Sequence, residues 1–329
     1  MNIGIIGCGL IGHKRANHLD RDDRVVMVCD RNEVAGRRMG DQYGCPAVAD
    51  WRALVADPAV EAVVIAASHD SLVEPALDAL RAGKHILIEK PGARNVDELE
   101  PLLKEYKERG GAKGPTIIKI GFNHRFHPAA IKAREILASG AMGELMFVRG
   151  RYGHGGRPGY DREWRAQPEV SGGGELLDQG MHLIDLSRCF LGDLDLLAGE
   201  TRTYFWDMPV DDNAFLLLGT EQRQVSQLHV SWTEWKNLFS LEIYGRDMKL
   251  HWEGLGGSYG VERLAVYTMK PEMGPPETVI HEFPGPDTPW RAEWSNFKGA
   301  IAGDVAVDGG LEDAFAALKI VKQAYGRNP

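Results

Sequence analysis

The fold is decided by the segment Asn2-Ile3-Gly4-Ile5-Ile6-Gly7-Cys8-Gly9-Leu10-Ile11-Gly12. It is a short apolar strand, residues 2–6, that leads through the spacing Gly-x-Gly-x-x-Gly into a helix. The first glycine of such a loop permits a tight turn, the second lets the backbone approach a pyrophosphate, and the third lets helix and strand pack closely. Free N–H groups at the helix start attract phosphate. The segment therefore predicts a dinucleotide-binding βαβ unit.

An acidic side chain, Asp30, closes the second predicted strand eighteen residues after Gly12. A carboxylate at this place binds the hydroxyls of the adenosine ribose; alternatively, Asp30 caps the helix that begins near Asn32. Its charge repels a 2′-phosphate, whereas the neighbouring Arg31 could stack on adenine or bind that phosphate. NAD is therefore the predicted cofactor, and NADP remains an alternative.

Strand and helix signals alternate over the first 120 residues. Short runs rich in Val and Ile predict strands at 2–6, 25–29, 62–66, 85–88 and 116–120. Helices are predicted at about 10–20, 32–42, 50–56, 71–82 and 95–109. This alternation is typical of a parallel Rossmann sheet with helices on both faces.

The pattern changes after Gly121. A helix at 128–139 and a strand at 144–152 are followed by a glycine-rich stretch, a helix at 175–191, successive strands from 198 to 282, and helices at 290–302 and 311–325. Alternation of apolar and polar residues over 225–232 indicates an antiparallel sheet with one face in water. The predicted fold class is α/β plus α+β, with a dinucleotide-binding domain at 1–121 and a substrate domain at 122–329.

Composition restricts the class of partner. The net charge of −9 argues against nucleic acid or an anionic membrane as the main partner. The four cysteines lie far apart, without the Cys or His spacing of a metal site, and are expected to be small buried side chains. No apolar run approaches the ~20 residues of a membrane span, and the N-terminus starts directly on a strand. We therefore expect a cytoplasmic protein without a metal.

Two later segments carry residues suited to catalysis. Lys90, in Glu89-Lys90-Pro91, follows the end of a predicted parallel strand, the edge at which open α/β sheets bind ligands. It is either functional or simply exposed to solvent. On the predicted helix 175–191, Asp178, His182 and Asp185 fall at i, i+4 and i+7 on one stripe. An acid and an imidazole at these positions can transfer protons. Alternatively, His182 is a core residue and Asp178 is an acid of the first turn that interacts favourably with the helix dipole.

A cluster of arginines and aromatic residues precedes that helix. Arg157, Trp164 and Arg165 are its candidate substrate contacts, since such side chains suit a polyhydroxylated ring, a carboxylate or a phosphate. The alternative is a surface loop with solvated arginines. Trp232, Trp235 and Trp252 are expected on later strands, where packing in a sheet or an interface is favoured over a ligand platform.

Taken in order, these motifs resemble those of one family. The chain resembles the Gfo/Idh/MocA oxidoreductases over almost its whole length. The motifs that carry the resemblance are the glycine loop, Glu89-Lys90-Pro91, the run from Gly121 to Phe126 (Gly-Phe-Asn-His-Arg-Phe) and Asp178-x-x-x-His182. The resemblance implies an open, mostly antiparallel sheet in the second domain, with one face covering the nicotinamide and the other forming a subunit interface. It therefore implies a homo-oligomer, either a dimer or a tetramer.

The resemblance also implies roles for individual residues. Lys90, Asp178 and His182 are implied to be catalytic and to contact the substrate, with Lys90 often positioned by a cis peptide bond. Cofactor contacts are implied for Gly7, Gly9, Leu10, Ile11, Gly12, Asp30, Arg31, Ser68, His69, Glu89, Lys90 and Asn123. After the strand at 62–66, Ser68-His69-Asp70 replaces the more usual Thr-Pro-Asn of the family. His69 either substitutes for some cofactor contacts or, with Asp70, caps the next helix.

These implications predict hydride transfer between nicotinamide and a secondary alcohol or ketone of a sugar, polyol or sugar derivative, including acid- or nucleotide-linked ones. His182 accepts the hydroxyl proton, and Lys90 stabilises the developing alkoxide. Asp178 binds a neighbouring hydroxyl and orients Lys90 or His182. Two alternatives remain: a non-catalytic NAD(P)-binding sensor or scaffold, and a sugar enzyme that recycles bound NAD during glycoside cleavage or internal oxidoreduction.

Overall fold

A computed structural model describes residues 1–285 and 288–327. Its helices and strands, in chain order, are β1 Asn2–Ile6, α1 Leu10–Asn17, β2 Arg24–Cys29, α2 Glu33–Tyr43, β3 Ala47–Val48, α3 Trp51–Ala56, β4 Ala62–Ile65, α4 Val73–Arg81, β5 His85–Ile88, α5 Val96–Glu108, β6 Ile118–Ile120, α6 Pro128–Ala138, β7 Leu145–Gly153, α7 Pro168–Ser171, α8 Met181–Leu191, β8 Asp195–Arg202, β9 Asn213–Gly219, β10 Val225–Ser231, β11 Leu238–Gly245, β12 Met248–Glu253, β13 Glu262–Thr268, β14 Glu277–Phe283, α9 Pro289–Ala302 and α10 Leu311–Tyr325. The chain divides into two compact units.

The first unit comprises residues 1–122, 169–172 and 290–315. Its strands form a parallel sheet in the order β3-β2-β1-β4-β5-β6. The chain reverses its direction of strand addition between β1 and β4, which is where doubly wound sheets bind ligands. Apolar side chains of the central strands are fully buried, among them Ile3, Ile5, Val64 and Leu87. The predicted Rossmann fold is confirmed, and β3 is a short edge strand that the sequence did not indicate.

The second unit comprises residues 123–168 and 173–289 together with the chain from Ala316 onward. Its sheet has the order β14-β13-β12-β11-β7-β10-β9-β8. Neighbouring strands are antiparallel except for β7 and β10, which run parallel, so the sheet is mixed. Along β10, Ser226, Leu228 and Val230 are buried, whereas Gln227 is exposed. The predicted mostly antiparallel sheet with one face in water is confirmed.

One predicted helix is not regular. The segment predicted at 175–191 contains a π-helical stretch, Leu176–Gly180, before α8 begins at Met181. A π turn holds more residues than an α turn, so Asp178 and Asp185 do not lie on one continuous α-helical stripe. The prediction of a uniform stripe was wrong for this physical reason.

The tryptophans divide into two groups. Trp232 and Trp252 are completely buried in the second unit, which confirms the packing role that was favoured for them. Trp235 is 69% exposed and lies in the loop between β10 and β11. The prediction that this residue packs within the sheet was therefore wrong.

Within the described residues, no helix is both long enough and apolar enough to span a bilayer.

Candidate functional site

The three glycines of the first loop are required for different reasons. Gly7 has a φ of +97°, and a Cβ there would lie 2.3 Å from the carbonyl oxygen of Ala66. A Cβ on Gly12 would lie 1.9 Å from the carbonyl oxygen of Gly7. A Cβ on Gly9 would meet no described atom within 4 Å. Packing therefore explains Gly7 and Gly12, whereas at Gly9 the backbone borders open space that a ligand can enter.

Helix α1 begins directly after this open glycine. Gly9 is its N-cap, and among the described residues no side chain caps the helix. Its first residue, Leu10, is 83% exposed, and Ile11 is half-buried. An uncapped helix start presents N–H groups and the positive end of the helix dipole to an anion. The geometry fits the pyrophosphate of a dinucleotide.

Asp30 lies at the end of β2 and is bonded to the loop. Its Oδ2 accepts a hydrogen bond from Cys8 N at 2.7 Å, and its Oδ1 accepts one from Asn32 N at 2.7 Å. The side chain of Asn32, and not that of Asp30, caps helix α2. An ionised carboxylate has about four acceptor sites, so two remain for ribose hydroxyls. Arg31, beside it, is exposed.

Glu89 belongs to a buried ion-pair network of the first unit. Its Oε1 lies 2.6 Å from Nε of Arg15, which projects from α1 and also contacts Glu293 of α9. Arg15 is 3% exposed, and Glu293 is completely buried. Burial raises the pKa of Glu293 despite the opposing charge of Arg15. The network connects the helix of the phosphate loop with the residue that precedes Lys90.

Lys90 follows β5 at the carboxyl edge of the parallel sheet and is half-buried. The bond between Lys90 and Pro91 is cis, as the family resemblance implied.

Ser68 and His69 occupy a short turn after β4. Nδ1 of His69 lies 2.7 Å from the carbonyl oxygen of Ser171, and the imidazole is 5% exposed. Oγ of Ser68 lies 2.5 Å from Oδ1 of Asp70. One ring nitrogen of His69 is thus engaged within the first unit, where it fixes the turn.

In the second unit, the helix that carries Asp178 and His182 begins on a buried carboxylate. Asp211 accepts hydrogen bonds from Gly174 N at 3.0 Å, Leu176 N at 2.8 Å and the hydroxyl of Tyr325 at 2.8 Å. A Cβ on Gly174 would lie 1.9 Å from the carbonyl oxygen of Asp211. The helix start is therefore already occupied by an acceptor of the chain itself.

Asp178 is held by one of the predicted substrate residues. Nε of Arg165 lies 3.0 Å from Oδ2 of Asp178, and the guanidinium lies over the ring of Trp164, 4.5 Å from its centroid. Arg157 pairs with Glu163 at 2.5 Å and is 67% exposed along its side chain. The second unit thus brings together Asp178, Arg165 and Trp164.

His182 lies in an aromatic environment. Its ring stacks on that of His124, with centroids 3.8 Å apart and planes inclined by 25°, and Tyr152 lies further away at 6.2 Å. Asn123, the predicted cofactor residue of the second unit, is buried, and its Oδ1 lies 3.2 Å from Nδ1 of His124. The second histidine of the stack was not predicted, although it lies within the quoted family motif.

Two further carboxylates have structural partners. Asp185 forms a buried ion pair with Arg125, which belongs to the same motif as His124, at 2.5 Å. Asp211 was not predicted either. The sequence feature that could have identified Asp211 is the pair of acidic residues Asp211-Asp212 directly before a predicted strand. Burial of a carboxylate there is energetically costly unless the carboxylate has a partner.

One group of carboxylates has the spacing of a cation site. Asp20, Asp22 and Asp23 lie close together, but the ammonium group of Lys298 contacts all three at 3.0–3.3 Å. The amino group of Met1 adds a second cation at 2.8 Å from Asp23. The cluster is thus compensated by positive charges of the chain and serves as an ion-pair network.

The first unit has the properties of a nicotinamide-dinucleotide-binding oxidoreductase domain: an open glycine, an uncapped helix start and a carboxylate after β2 at the switch point of a parallel sheet. Comparison with known families agrees. Residues 1–113 match the oxidoreductase family with an NAD-binding Rossmann fold, and residues 130–251 match the GFO/IDH/MocA C-terminal domain. The chain belongs to the GFO/IDH/MocA family.

Individual relatives span the chain to different extents. It is 30% identical to levoglucosan dehydrogenase of Pseudarthrobacter phenanthrenivorans over 67% of this chain and 58% of that protein's length. It is 28% identical to inositol 2-dehydrogenase 2 of Saccharopolyspora erythraea over 99% of this chain and 94% of that protein. A solved levoglucosan dehydrogenase in complex with NADH and levoglucosan shares the fold with a TM-score of 0.85, at 22% identity over 100% of this chain and 98% of that one.

Proposed function

We propose that this chain is an NAD(P)-dependent dehydrogenase that transfers a hydride between nicotinamide and a secondary alcohol or ketone of a sugar, polyol or sugar derivative. The observation that carries the proposal is the match of both segments of the chain to one oxidoreductase family. The names of the relatives described above, levoglucosan and inositol dehydrogenases, support a polyhydroxylated ring as substrate. We assign dinucleotide binding to residues 1–121 and substrate binding to residues 122–329.

Binding of the cofactor is assigned to the glycine loop and the turns that follow the parallel strands. Backbone N–H groups at Gly9, Leu10 and Ile11 would bind the pyrophosphate, and Gly7 and Gly12 shape the loop. The carboxylate of Asp30 binds ribose hydroxyls and favours NAD, and the exposed Arg31 leaves NADP as the alternative. Ser68, His69, Lys90 and Asn123 complete the proposed set. The bound nicotinamide supplies the acceptor or donor of the hydride.

The carboxylate of Glu89 is already paired with Arg15, so a role in positioning suits it better than direct contact with a ligand. A buried ion pair of this geometry fixes the backbone on both sides of it. Glu89 thereby holds the turn that presents Lys90.

The proton chemistry is assigned to three residues. Imidazole changes protonation near neutral pH, so His182 is suited to accept the proton of the reacting hydroxyl. The ammonium group of Lys90 stabilises negative charge that develops on the same oxygen. Asp178 binds a neighbouring hydroxyl, and its ion pair with Arg165 orients the carboxylate. The reverse reduction uses the same groups.

Substrate recognition is assigned to Arg157, Trp164 and Arg165 in addition to the three catalytic residues. Arg165 contacts the carboxylates of Asp178 and, at 3.9 Å, Glu163, and it lies over the ring of Trp164. Its five N–H donors can also serve a substrate oxygen. An arginine-rich lining suits hydroxyl, carboxylate or phosphate groups on the sugar.

The assembly proposed is a cytoplasmic homo-oligomer. In the sheet of the second unit, Phe147, Phe215 and Leu217 are partly exposed and lie on one face by strand register. Apolar groups in such an arrangement are typical of an interface between copies. Size-exclusion chromatography with light scattering tests this proposal: a dimer or tetramer supports it, and a monomer at micromolar concentration contradicts it.

The decisive experiment is an absorbance assay at 340 nm with polyols, aldoses, uronates and nucleotide sugars, each with NAD and with NADP. Stoichiometric NADH or NADPH formation supports the dehydrogenase. Sugar products without reduced cofactor would support a recycling enzyme instead. Neither product across the panel, with cofactor bound, would favour a sensor and overturn the proposal.

A further inference from the structure

The second unit carries exposed aromatic side chains beside its glycine-rich segment. Tyr204, Phe205 and Trp235 are 67%, 54% and 69% exposed, and we refer to them together as the aromatic platform. The rings of Phe205 and Trp235 meet edge to face, with centroids 4.7 Å apart and planes at 90°. Large apolar side chains that are exposed next to one another mark binding surfaces more often than scattered single ones do.

The loops beneath the platform are fixed by buried hydrogen bonds. The carboxylate of Asp212, completely buried, accepts hydrogen bonds from the backbone N–H groups of Tyr204, Phe205 and Trp206 at 2.8–3.0 Å. Asn213 adds a fourth donor at 3.0 Å. Four hydrogen-bond donors satisfy the acceptor sites of this buried carboxylate. Asp212 therefore orders the aromatic loop without leaving a buried polar group unpaired.

Trp235 is held in a conformation that aromatic residues rarely adopt. Its φ is +52°, in the left-handed region. The backbone of Gly155 lies directly against it, because a Cβ on this glycine would be 3.1 Å from Cα of Trp235. Such strain tends to persist at functional sites. The exposed indole is therefore maintained against a conformational preference.

A small apolar core connects the platform with the proposed substrate residues. It contains Tyr160, Ala166, Met208, Val210 and Trp232, and Trp206 packs against it. The ring of Trp206 touches that of Phe205 on one side, at 5.2 Å, and that of Tyr160 on the other, at 5.8 Å.

Tyr160 is in turn close to the carboxylate of the proposed site. Burial raises the pKa of its hydroxyl, and the charge of Asp178 raises it further, while Arg165 opposes the rise. Arg157, paired with Glu163, lies over the same tyrosine, 5.9 Å from the ring centroid. The platform is thus connected through Trp206 and Tyr160 to Arg157, and the charge of Asp178 acts on the same tyrosine.

We propose that the aromatic platform binds a second sugar ring of the substrate, so that the chain acts on a disaccharide or a glycoside with a ring-bearing substituent in preference to a free monosaccharide. The proposal rests on the proposed function. A pyranose ring has an apolar C–H face and a polar rim, which matches exposed aromatic rings that connect through Trp206 and Tyr160 to the ion pair of Arg157 and Glu163. Continuity with Arg157, a proposed substrate residue, favours this occupant over a second copy of the chain.

The test compares the preferred monosaccharide of the sugar panel with its phenyl glycoside and its disaccharides. We expect kcat/KM to be at least ~10-fold higher for a two-ring substrate, which corresponds to about 1.4 kcal/mol. Trp235→Gly removes the indole and tolerates the positive φ, and Phe205→Ala removes its neighbour. Each variant should lower the preference for the two-ring substrate about tenfold. Met269→Ala, a similarly exposed apolar side chain at 54%, is the matched control and should retain the preference.

A titration that needs no turnover separates this inference from the proposed function. Saturable change of tryptophan fluorescence with the disaccharides, lost in Trp235→Gly, supports the platform even if no sugar reduces the cofactor. Turnover of a monosaccharide with no preference for two rings overturns the inference and leaves the dehydrogenase intact. Conversion of an oligomer to a monomer by Trp235→Gly, with sugar preference unchanged, would assign the platform to contacts between copies and also overturn it.

Discussion

Each unit has a helix that starts on glycines and is anchored by a buried ion pair, yet the two helix starts differ. Helix α1 follows Gly9, borders open space and is uncapped by any described side chain. The helix that bears Asp178 follows Gly174, and its N–H groups are already bonded to Asp211. A glycine-led helix is therefore an anion site only where the chain leaves its first N–H groups available.

The glycines themselves differ in what they contact. Gly12 of the first loop meets neighbours of the same βαβ unit, the carbonyl oxygen of Gly7 and the side chain of Ile5. Gly173 and Gly174 instead meet Tyr325 and Asp211, which are far away in the sequence. The first arrangement can be predicted from a local motif, whereas the second depends on tertiary contacts that no local pattern contains.

The largest expected effect concerns the anchors of the two helices. Arg15→Met removes the cation from the buried Glu89 and Glu293, and Arg125→Met removes it from the buried Asp185. Loss of one partner of a buried pair costs about 3–5 kcal/mol. The free energy of unfolding in urea should fall by this amount for both variants if each buried ion pair stabilises its helix.

The control for these anchors is Arg37→Met, which removes an exposed pair with Glu33. Such pairs contribute about 0.3–0.5 kcal/mol. Equal losses for the exposed and the buried arginines would contradict the anchoring role.

The next effect separates packing glycines from the glycine that faces a ligand. Gly12→Ala forces a methyl group against the carbonyl of Gly7, and Gly174→Ala forces one against Asp211, so each should lose about 1–3 kcal/mol or more of stability. Gly9→Ala meets open space and should keep its stability while NADH affinity falls about tenfold or more. Unfolding and NADH fluorescence titrations measure both quantities. Unchanged NADH affinity in Gly9→Ala would refute the assignment of the open space.

A smaller effect is expected from the carboxylate at the second helix start. Burial raises the pKa of Asp211, against hydrogen bonds from Leu176, Tyr325 and Gly174 that lower it. The folded protein therefore holds this proton at pH values where the unfolded chain has released it. The stabilising contribution is complete below the ordinary value of about 3.9 and declines as the pH rises through the folded pKa.

Asp211→Asn cannot titrate at this position, so its free energy of unfolding should fall less steeply than that of the native chain above pH 4. Denaturant unfolding from pH 4 to pH 8 measures the two slopes. Parallel pH profiles would show that Asp211 does not contribute as described.

The smallest effect is chemical. Burial, followed by the charge of Asp30, raises the pKa of Cys8 in the phosphate loop to about 12. The thiolate is the nucleophile, so Cys8 should remain unmodified by iodoacetamide at pH 8 in the folded chain and react after denaturation. Mass spectrometry of the peptide measures the modification. Rapid labelling in the folded state would contradict the burial of the Cys8 thiol and its raised pKa.

The difference between local and long-range contacts explains how much of the fold could be predicted from the sequence. The parallel sheet and the glycine loop were predictable because their reasons are local: alternation of apolar strands with helices, and fixed spacing at the first turn. The strand-rich second unit was also predictable from period-two alternation. The parallel pair β7–β10 was not, since strand direction depends on which strands meet in space.

The candidate site was predictable by residue type but not by contact. Asp178 and Arg165 were both identified, yet their ion pair joins residues thirteen positions apart across an irregular loop. The stack of His124 on His182 and the bonds of Asp211 to the helix start are longer-range still. The π-helical stretch at Leu176–Gly180 changed the stripe that regular spacing predicted.

The most direct test of the central claim is the Lys90→Met variant, with NADH affinity and turnover measured in parallel on the best sugar of the panel. Because Lys90 is one of many proposed cofactor contacts, we expect NADH affinity to change by a few-fold at most, with turnover reduced by about 10²–10⁴ because the group that stabilises the alkoxide is missing. Turnover within a few-fold of the native value, with the cofactor bound normally, would contradict the proposed chemistry.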